Sequence, residues 1–363
     1  MAFSSGIATD QDDLLDKLRA FALAQGWTIN SFANDTSTYD RDSTSGKRLH
    51  ISKNGMYFNM RSSDGANVFD VGTLINTNYW RYWRLYGIAV NGSTGYNSAS
   101  SWENQPGAPQ VSATGIGTTV LGINNASVNY WLFSTTESLT MAVEYDPVNY
   151  AGYMQYIHVG RIIPSGSILT TPGVDGAVYM SSASPNVFLN DLSTPVAFYN
   201  ALNQDSGNFT GLGTSRYVDW GRGGVFLPSV VKGDGTTLTN KWYLVNDSSS
   251  DRMQNDIHIS AQAVPPNADE GMIRNLVRRT PNSETGVTPL FPIYLLLTAQ
   301  GGGGGNNSSR QPYRFAGVVD GVLNAAHTGF SLAGTSTIAS DTYSHFPMWH
   351  VGQSKNSGLA IKQ

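Results

Sequence analysis

Cysteine is absent from all 363 residues, which excludes disulfides, thiolate nucleophiles, iron–sulfur clusters and Cys-ligated zinc together. Charge is sparse as well. Asp, Glu, Lys and Arg make up 13% of the chain and sum to a formal −4, with a pI near 5.8. No sustained cationic field is available to gather phosphates, so no nucleic-acid partner is expected. Long apolar runs are also missing. Pro289 to Ala299, the longest near the C-terminal third, is interrupted and too short to span a bilayer, and no basic stretch followed by an apolar run opens the chain. The expectation is a soluble, cytoplasmically made protein with no membrane partner, held together by packing and hydrogen bonds alone.

What the chain does have is turn and strand chemistry. Aromatics reach 11%, glycines number 39, and Asn, Ser and Thr are frequent, a composition suited to turn-rich β-structure. Lys47 to Ser52 and Met56 to Arg61 flank Lys53-Asn54-Gly55, where Asn-Gly supplies the positive φ angles of a tight hairpin. Further turn dipeptides stand at Asp64-Gly65, Asn91-Gly92, Asp175-Gly176, Asp234-Gly235 and Asp320-Gly321, between short runs rich in Val, Ile, Tyr, Trp and Thr. A repeated strand and helix alternation is missing, so the expected class is mainly β, with sandwich or barrel-like antiparallel sheets, one N-terminal amphipathic helix and few other short helices. The segments read as 1–30 (helix and first strand), 31–160 (β-rich), 161–310 (β-rich with variable loops) and 311–363 (C-terminal β), forming one or two compact domains. Ser93 to Gly107, Asn246 to Asp251 and Gly301 to Ser309 read as exposed loops.

The helix is the best-marked element. In Thr9 to Ile29, Leu14, Leu18, Phe21, Ala22 and Gln25 follow helical spacing, while Asp12, Asp16, Lys17 and Arg19 face water. Thr9 with Asp12 resembles a capping box, acids cluster in the first turn, and Gly26 suits the left-handed cap that stops the helix before Trp27-Thr28-Ile29. Such a stripe must be covered by the chain's own sheets or by a neighbouring subunit. Leu14, Leu18, Phe21 and Trp27 are therefore candidate assembly contacts. A second helix is read over Asp269 to Arg279, ended by Pro281.

Catalytic signatures are weak. Paired-carboxylate glycosidase chemistry would draw on Glu137, Glu144 or Asp146, and the alternative is that these are polar strand edges. The histidines at 50, 158, 258, 327, 345 and 350 show no HExxH or other close metal-ligand pair, so they read as hydrogen-bonded strand residues. Asp40 and Asp42 lack the later glycine and acid of an EF-hand. No phosphate-binding loop, dinucleotide fingerprint or nucleophile elbow is present. No catalytic residue, metal site or cofactor is assigned. The aromatic run Asn78 to Tyr86 is the best surface candidate: as a strand it puts Trp80, Tyr82, Arg84 and Tyr86 on one face and Tyr79, Arg81, Trp83 and Leu85 on the other. Trp80, Tyr82, Trp83 and Arg84 are residue types that stack on sugars and anchor protein interfaces.

The opening AFSSGIATDQDDLLDKLRAFALAQGWTI resembles the start of virion structural proteins of tailed bacteriophages, in which a short Ser/Gly/Ala/Thr lead enters a DLLDKLRAF-type helix followed by GW and a strand. The likeness extends to GSTGYNSASSWENQPG at 92–107, to YWLF at 130–133, and to the terminal run from Arg314 through Thr342, Tyr343, Phe346 and Ala360-Ile361. It does not cover residues 160–310. The resemblance implies a non-enzymatic virion component, homo-oligomeric, in the tail, collar, baseplate or head-to-tail region, whose partners are itself and other virion structural proteins. The alternatives are a tail-fibre or spike adhesin that binds host-surface glycan and, beyond that, a polysaccharide depolymerase.

Overall fold

A computed structural model of the chain describes residues 1–34, 46–69, 83–108, 119–123, 127–148, 150–164, 177–181, 225–227, 230–231, 237–238, 243–244, 255–260, 290–299, 314–325, 331–348 and 357–363. After β1 (Ala2–Ala8) and α1 (Gln11–Ala24) come β2 (Thr28–Asn34), β3 (Lys47–Lys53), β4 (Met56–Phe69), β5 (Trp83–Ser93) and β6 (Thr119–Gly122). Next are β7 (Val128–Ser134), β8 (Ser138–Asp146), β9 (Tyr150–Pro164) and β10 (Ala177–Ser181). The short strands β11 (Val225–Leu227), β12 (Val230–Val231), β13 (Thr237–Leu238) and β14 (Tyr243–Leu244) precede β15 (Asn255–Ser260) and β16 (Leu290–Ala299). β17 (Arg314–Ala325), β18 (Gly334–Ile338), β19 (Asp341–Met348) and β20 (Ser357–Lys362) follow.

The fold is mainly β, as expected, and its antiparallel sheets include a half-barrel. One sheet runs β2-β3-β4-β5-β6, and a larger one runs β1-β7-β8-β9-β17-β20-β19-β18 with β10, β11, β14, β15 and β16 off this path. Local chemistry sets the β3–β4 hairpin: Asn54 and Gly55 take φ values of 49° and 81°, and Lys53 faces Met56 directly. Both central residues of this turn are thus left-handed, the arrangement Asn-Gly favours.

In α1, Asp10 rather than Thr9 is the N-cap. Its Oδ1 accepts from the Asp13 amide at 2.8 Å, and Asp13 Oδ2 accepts from the Thr9 amide at 3.0 Å. The expected box is therefore shifted by one residue, because Asp13 is the acid positioned to reach back. At the other end Gly26 has φ 76°, its amide bonds Leu23 O at 3.0 Å, and the Trp27 amide bonds Ala22 O at 3.0 Å. That pair of bonds is a Schellman cap. Lys53 Nζ adds a bond to Gln25 O at 2.8 Å.

The helix buries Leu14, Leu15, Leu18, Phe21 and Ala22 in one hydrophobic cluster with Leu49, Ile51, Phe58, Met60, Ile88 and Val90 of the smaller sheet and Leu132, Leu139, Met141, Val143, Ile157 and Val159 of the larger one. A polar clip links the same two sheets at the surface. Arg161 Nε pairs with Glu137 Oε2 at 2.8 Å, Asn54 Nδ2 donates to Glu137 Oε1 at 2.5 Å, and Arg161 Nη2 donates to Asn54 O at 3.2 Å. Gly160 permits the close approach beneath it: a Cβ there would lie 2.5 Å from Glu137 O.

Three of the predicted turn dipeptides lie inside strands. Asn91-Gly92 is in β5, Asp320-Gly321 is in β17 with Gly321 at φ 75°, and Asp64-Gly65 is in β4 where the register with β5 shifts. A positive-φ glycine or an irregularity bends the latter two strands, whereas Asn91 is held by partners across the sheet. Asp175-Gly176, Asp234-Gly235, the 269–279 segment and the loops at 246–251 and 301–309 lie outside the described residues.

Leu18→Ala is expected to remove about 2–5 kcal/mol of unfolding free energy, the usual result of opening a cavity in a packed core. Gly26→Ala meets no atom within 4 Å and carries only the backbone cost of the left-handed region, about 1 kcal/mol. Urea denaturation checks the order, and a Leu18→Ala loss no larger than that of Gly26→Ala contradicts burial of the stripe.

Candidate functional site

Leu14, Leu18, Phe21 and Trp27, the candidate assembly contacts, are at most 9% exposed and belong to the core of their own chain. They do not form a free docking face. The stripe is covered within the subunit, where the Trp27 ring lies 6.0 Å from that of Phe58 and has Lys53 Nζ 5.7 Å from its centroid. In the aromatic segment, Trp80 and Tyr82 lie outside the described residues, while Trp83 and Arg84 begin β5 opposite Phe69 and Val68.

Of the three candidate carboxylates, Glu137 and Glu144 are occupied, and the side chain of Asp146 lies outside the described ones. Glu137 belongs to the clip with Arg161 and Asn54. Glu144 is 3% exposed, accepting from Asn129 Nδ2 at 2.8 Å and from the Gly152 amide at 2.6 Å. Glu144 lies on β8 and Glu137 in the bend just before it, so the six strand steps from Ser138 to Glu144 alone span about 20 Å, far beyond the roughly 5–9.5 Å between glycosidase carboxylates. Among the described residues no group of three His, Asp or Glu side chains could hold a metal ion.

The most organised polar arrangement was not anticipated from sequence. His50, Asn59 and Asn91 stand directly opposite one another on β3, β4 and β5, and none is more than 2% exposed. Asn91 Nδ2 donates to Trp102 O at 3.5 Å, Asn59 Nδ2 to Asn91 Oδ1 at 2.7 Å, and His50 Nδ1 lies 2.7 Å from Asn59 Oδ1. Because the Asn59 oxygen only accepts, His50 carries its proton on Nδ1 and the row of bonds runs one way across the sheet.

Residues 93–107 cover this ladder. The segment is a loop with Asn97, Ser98 and Ala99 exposed, as expected, but it also buries Trp102 and Gln105 to 2% and 3% exposure. Gln105 Nε2 donates to the carbonyls of Asn97, Ser100 and Ser101 at 3.0–3.1 Å while its Oε1 accepts from the Asn97 amide at 2.8 Å. Thr94 N bonds Pro106 O at 2.7 Å and closes the base. A single amide thus satisfies an irregular backbone that would otherwise need water. The available sequence signal was a polar residue amid apolar ones in three successive strands, as in Leu49-His50-Ile51, Phe58-Asn59-Met60 and Val90-Asn91.

A second buried histidine lies on the larger sheet. His158 is wholly buried, with Nδ1 2.8 Å from Thr140 Oγ1 and no hydrogen-bond partner at Nε2. A proton on Nδ1 leaves a bare lone pair at Nε2, which costs less than an orphaned N–H. Burial lowers the pKa of this imidazole to about 3. His345, bonded through Nε2 to Ser336 Oγ at 2.6 Å, is lowered in the same direction by burial. These groups hold the sheets in place as neutral hydrogen-bonding residues. No protein-family model and no curated protein matches the chain.

Asn59→Leu removes the middle of the ladder and leaves His50 and Asn91 each short of a partner, a cost of about 1–3 kcal/mol per orphaned group. The double variant His50→Leu with Asn59→Leu should lose less than the sum of the singles, and strict additivity in a denaturation cycle contradicts the coupling.

His158 gives a pH dependence. Its folded pKa is about 3 and its unfolded value is about 6.5, so between these limits the unfolded chain binds a proton that the folded chain refuses. Stability therefore falls on acidification across that window, by at most about 1.4 kcal/mol per pH unit from this group. Urea midpoints of wild type and His158→Gln from pH 7 to pH 4 should converge towards acid, and parallel curves contradict the assignment.

Proposed function

We propose that this chain is a non-enzymatic structural component of a tailed-bacteriophage particle, working as a symmetric oligomer in its tail, collar, baseplate or head-to-tail region. The carrying observation is that the scattered segments of the sequence resemblance meet in one packed body. β1 pairs with the YWLF strand β7, with Phe3 opposite Phe133, Ser5 opposite Trp131 and Gly6 opposite Tyr130. Trp131 and Phe133 lie 5.4 and 5.8 Å from Phe346 of the terminal run, and the 92–107 segment covers the polar ladder. Pieces from residue 3 to residue 346 thus share contacts, which supports reading the likeness as that of a common three-dimensional frame.

The chemistry of that body agrees. Its interior acids and imidazoles are tied into hydrogen bonds, and its core joins the helix to both sheets. We take the two sheets with α1 as a sandwich-like unit. The expected partners are further copies of the chain and other particle proteins, and the site of action is the virion.

Mass spectrometry of gradient-purified particles is the direct test. The chain should be present at a fixed ratio to the other structural proteins, consistent with a rotational symmetry. Complete particles that lack it would overturn the assignment.

A further inference from the structure

The larger sheet ends at β1, and among the described residues no strand pairs with its outer edge. Edge strands of soluble proteins are ordinarily blunted by charge, proline or a bulge. β1 reads Ala-Phe-Ser-Ser-Gly-Ile-Ala, with no charge and no proline, and pairs with β7 without a shift in register. Its surroundings are apolar. Among the described residues, three of the seven exposed large hydrophobic side chains, Met1, Phe3 and Ile7 at 58, 39 and 65% exposure, belong to this strand or adjoin it.

We infer that β1 is a contact between copies, in which β1 of one subunit pairs antiparallel with β1 of a second about a twofold axis through Ser5. The sequence decides the occupant. Centred on Ser5, the strand reads nearly the same in both directions: Ser4 and Gly6 flank it, then Phe3 and Ile7, then Ala2 and Ala8. Antiparallel self-pairing in this register places Phe3 opposite Ile7 of the second copy twice over, on the same exposed face as the two serines. An aromatic ring facing a β-branched side chain is a favourable cross-strand pair, and a second uncharged strand brings no repulsion. A twofold contact must be self-complementary in this way. A single strand pair of seven residues buries less than the ~1,000 Å² of a lasting complex, so the isolated contact is reversible and depends on concentration. The inference rests on the oligomeric part of the reading above, not on the particle.

Because the chain has no cysteine, one substitution reports on one contact. Opposed residues in antiparallel strands have Cα atoms about 4.5–5.5 Å apart, within disulfide reach. Ser5→Cys at high protein concentration under mild oxidation should give a covalent dimer at least tenfold faster than Thr335→Cys, a similarly exposed control on β18. Adding Ile7→Lys should slow the Ser5→Cys reaction to the control rate while the unfolding midpoint stays unchanged, since Ile7 is exposed. A Ser5→Cys rate equal to that of the control overturns the β1 contact. If sedimentation then still shows a symmetric oligomer, the oligomeric reading stands and only this interface fails. Presence in purified particles is scored separately.

Discussion

The rest of the structure depends on the burial of both faces of β7, β8 and β9. In β9 every residue from Met154 to Val159 is at most 2% exposed, so this strand shows none of the alternation of a half-solvated sheet. One face carries Ile157 and Val159 into the cluster shared with α1 and the smaller sheet. The other carries Tyr156 to within 6.4 Å of the Phe346 ring, where Trp131 and Phe133 also pack. A chain without disulfides needs such a doubly covered centre, because packing is its only staple.

That constraint governs the polar groups. A side chain on a doubly buried strand must be neutral or fully bonded, since an uncompensated charge there costs several kcal/mol. His158 is neutral for this reason, and Glu144 stays in place by accepting two hydrogen bonds at the end of its strand. The ladder of His50, Asn59 and Asn91 solves the same problem on the smaller sheet, each amide serving the next until the row ends on the Trp102 carbonyl. The 93–107 segment belongs to that solution, because without its cover the ladder would open to water. Backbone is satisfied by the same means: Glu144 accepts from the Gly152 amide, and Gln105 serves the carbonyls and amide of the 93–107 segment.

What sequence reading reached divides along the same line. Asn54-Gly55 was legible because a hairpin turn is set by the φ angles of two adjacent residues, and the extent of α1 followed from spacing and Gly26. The N-cap was missed by one position because Thr9 and Asp10 are both able caps and the choice falls to Asp13. Asn91-Gly92 looked like a turn since its decisive partners, Asn59 and Trp102, are distant in sequence. The α1 stripe was legible as buried but not as to what covers it, because periodicity gives the width of an apolar face and not the identity of its neighbour. The aromatic candidate was only half reached, with Trp83 and Arg84 placed on β5.

With both faces of the central strands covered, the edges and loops are what such a body offers to others. The edges are not equivalent. At the end of the large sheet opposite β1, β18 is uncharged as well but only five residues long, and the nearby Asp341–Lys362 pair at 2.5 Å joins β19 to β20. On the smaller sheet, Arg19 of α1 lies 5.1 Å over the Phe32 ring of β2, a contact with a side chain of that strand rather than with its backbone edge. β1 is the longer of the two end strands of the large sheet, seven residues against five, and its glycine serves packing: a Cβ at Gly6 would lie 2.9 Å from the Tyr130 hydroxyl. What sets β1 apart is its length and regularity: seven uncharged residues pair with β7 without a register shift and carry exposed Phe3 and Ile7, which suits this end of the large sheet to strand pairing.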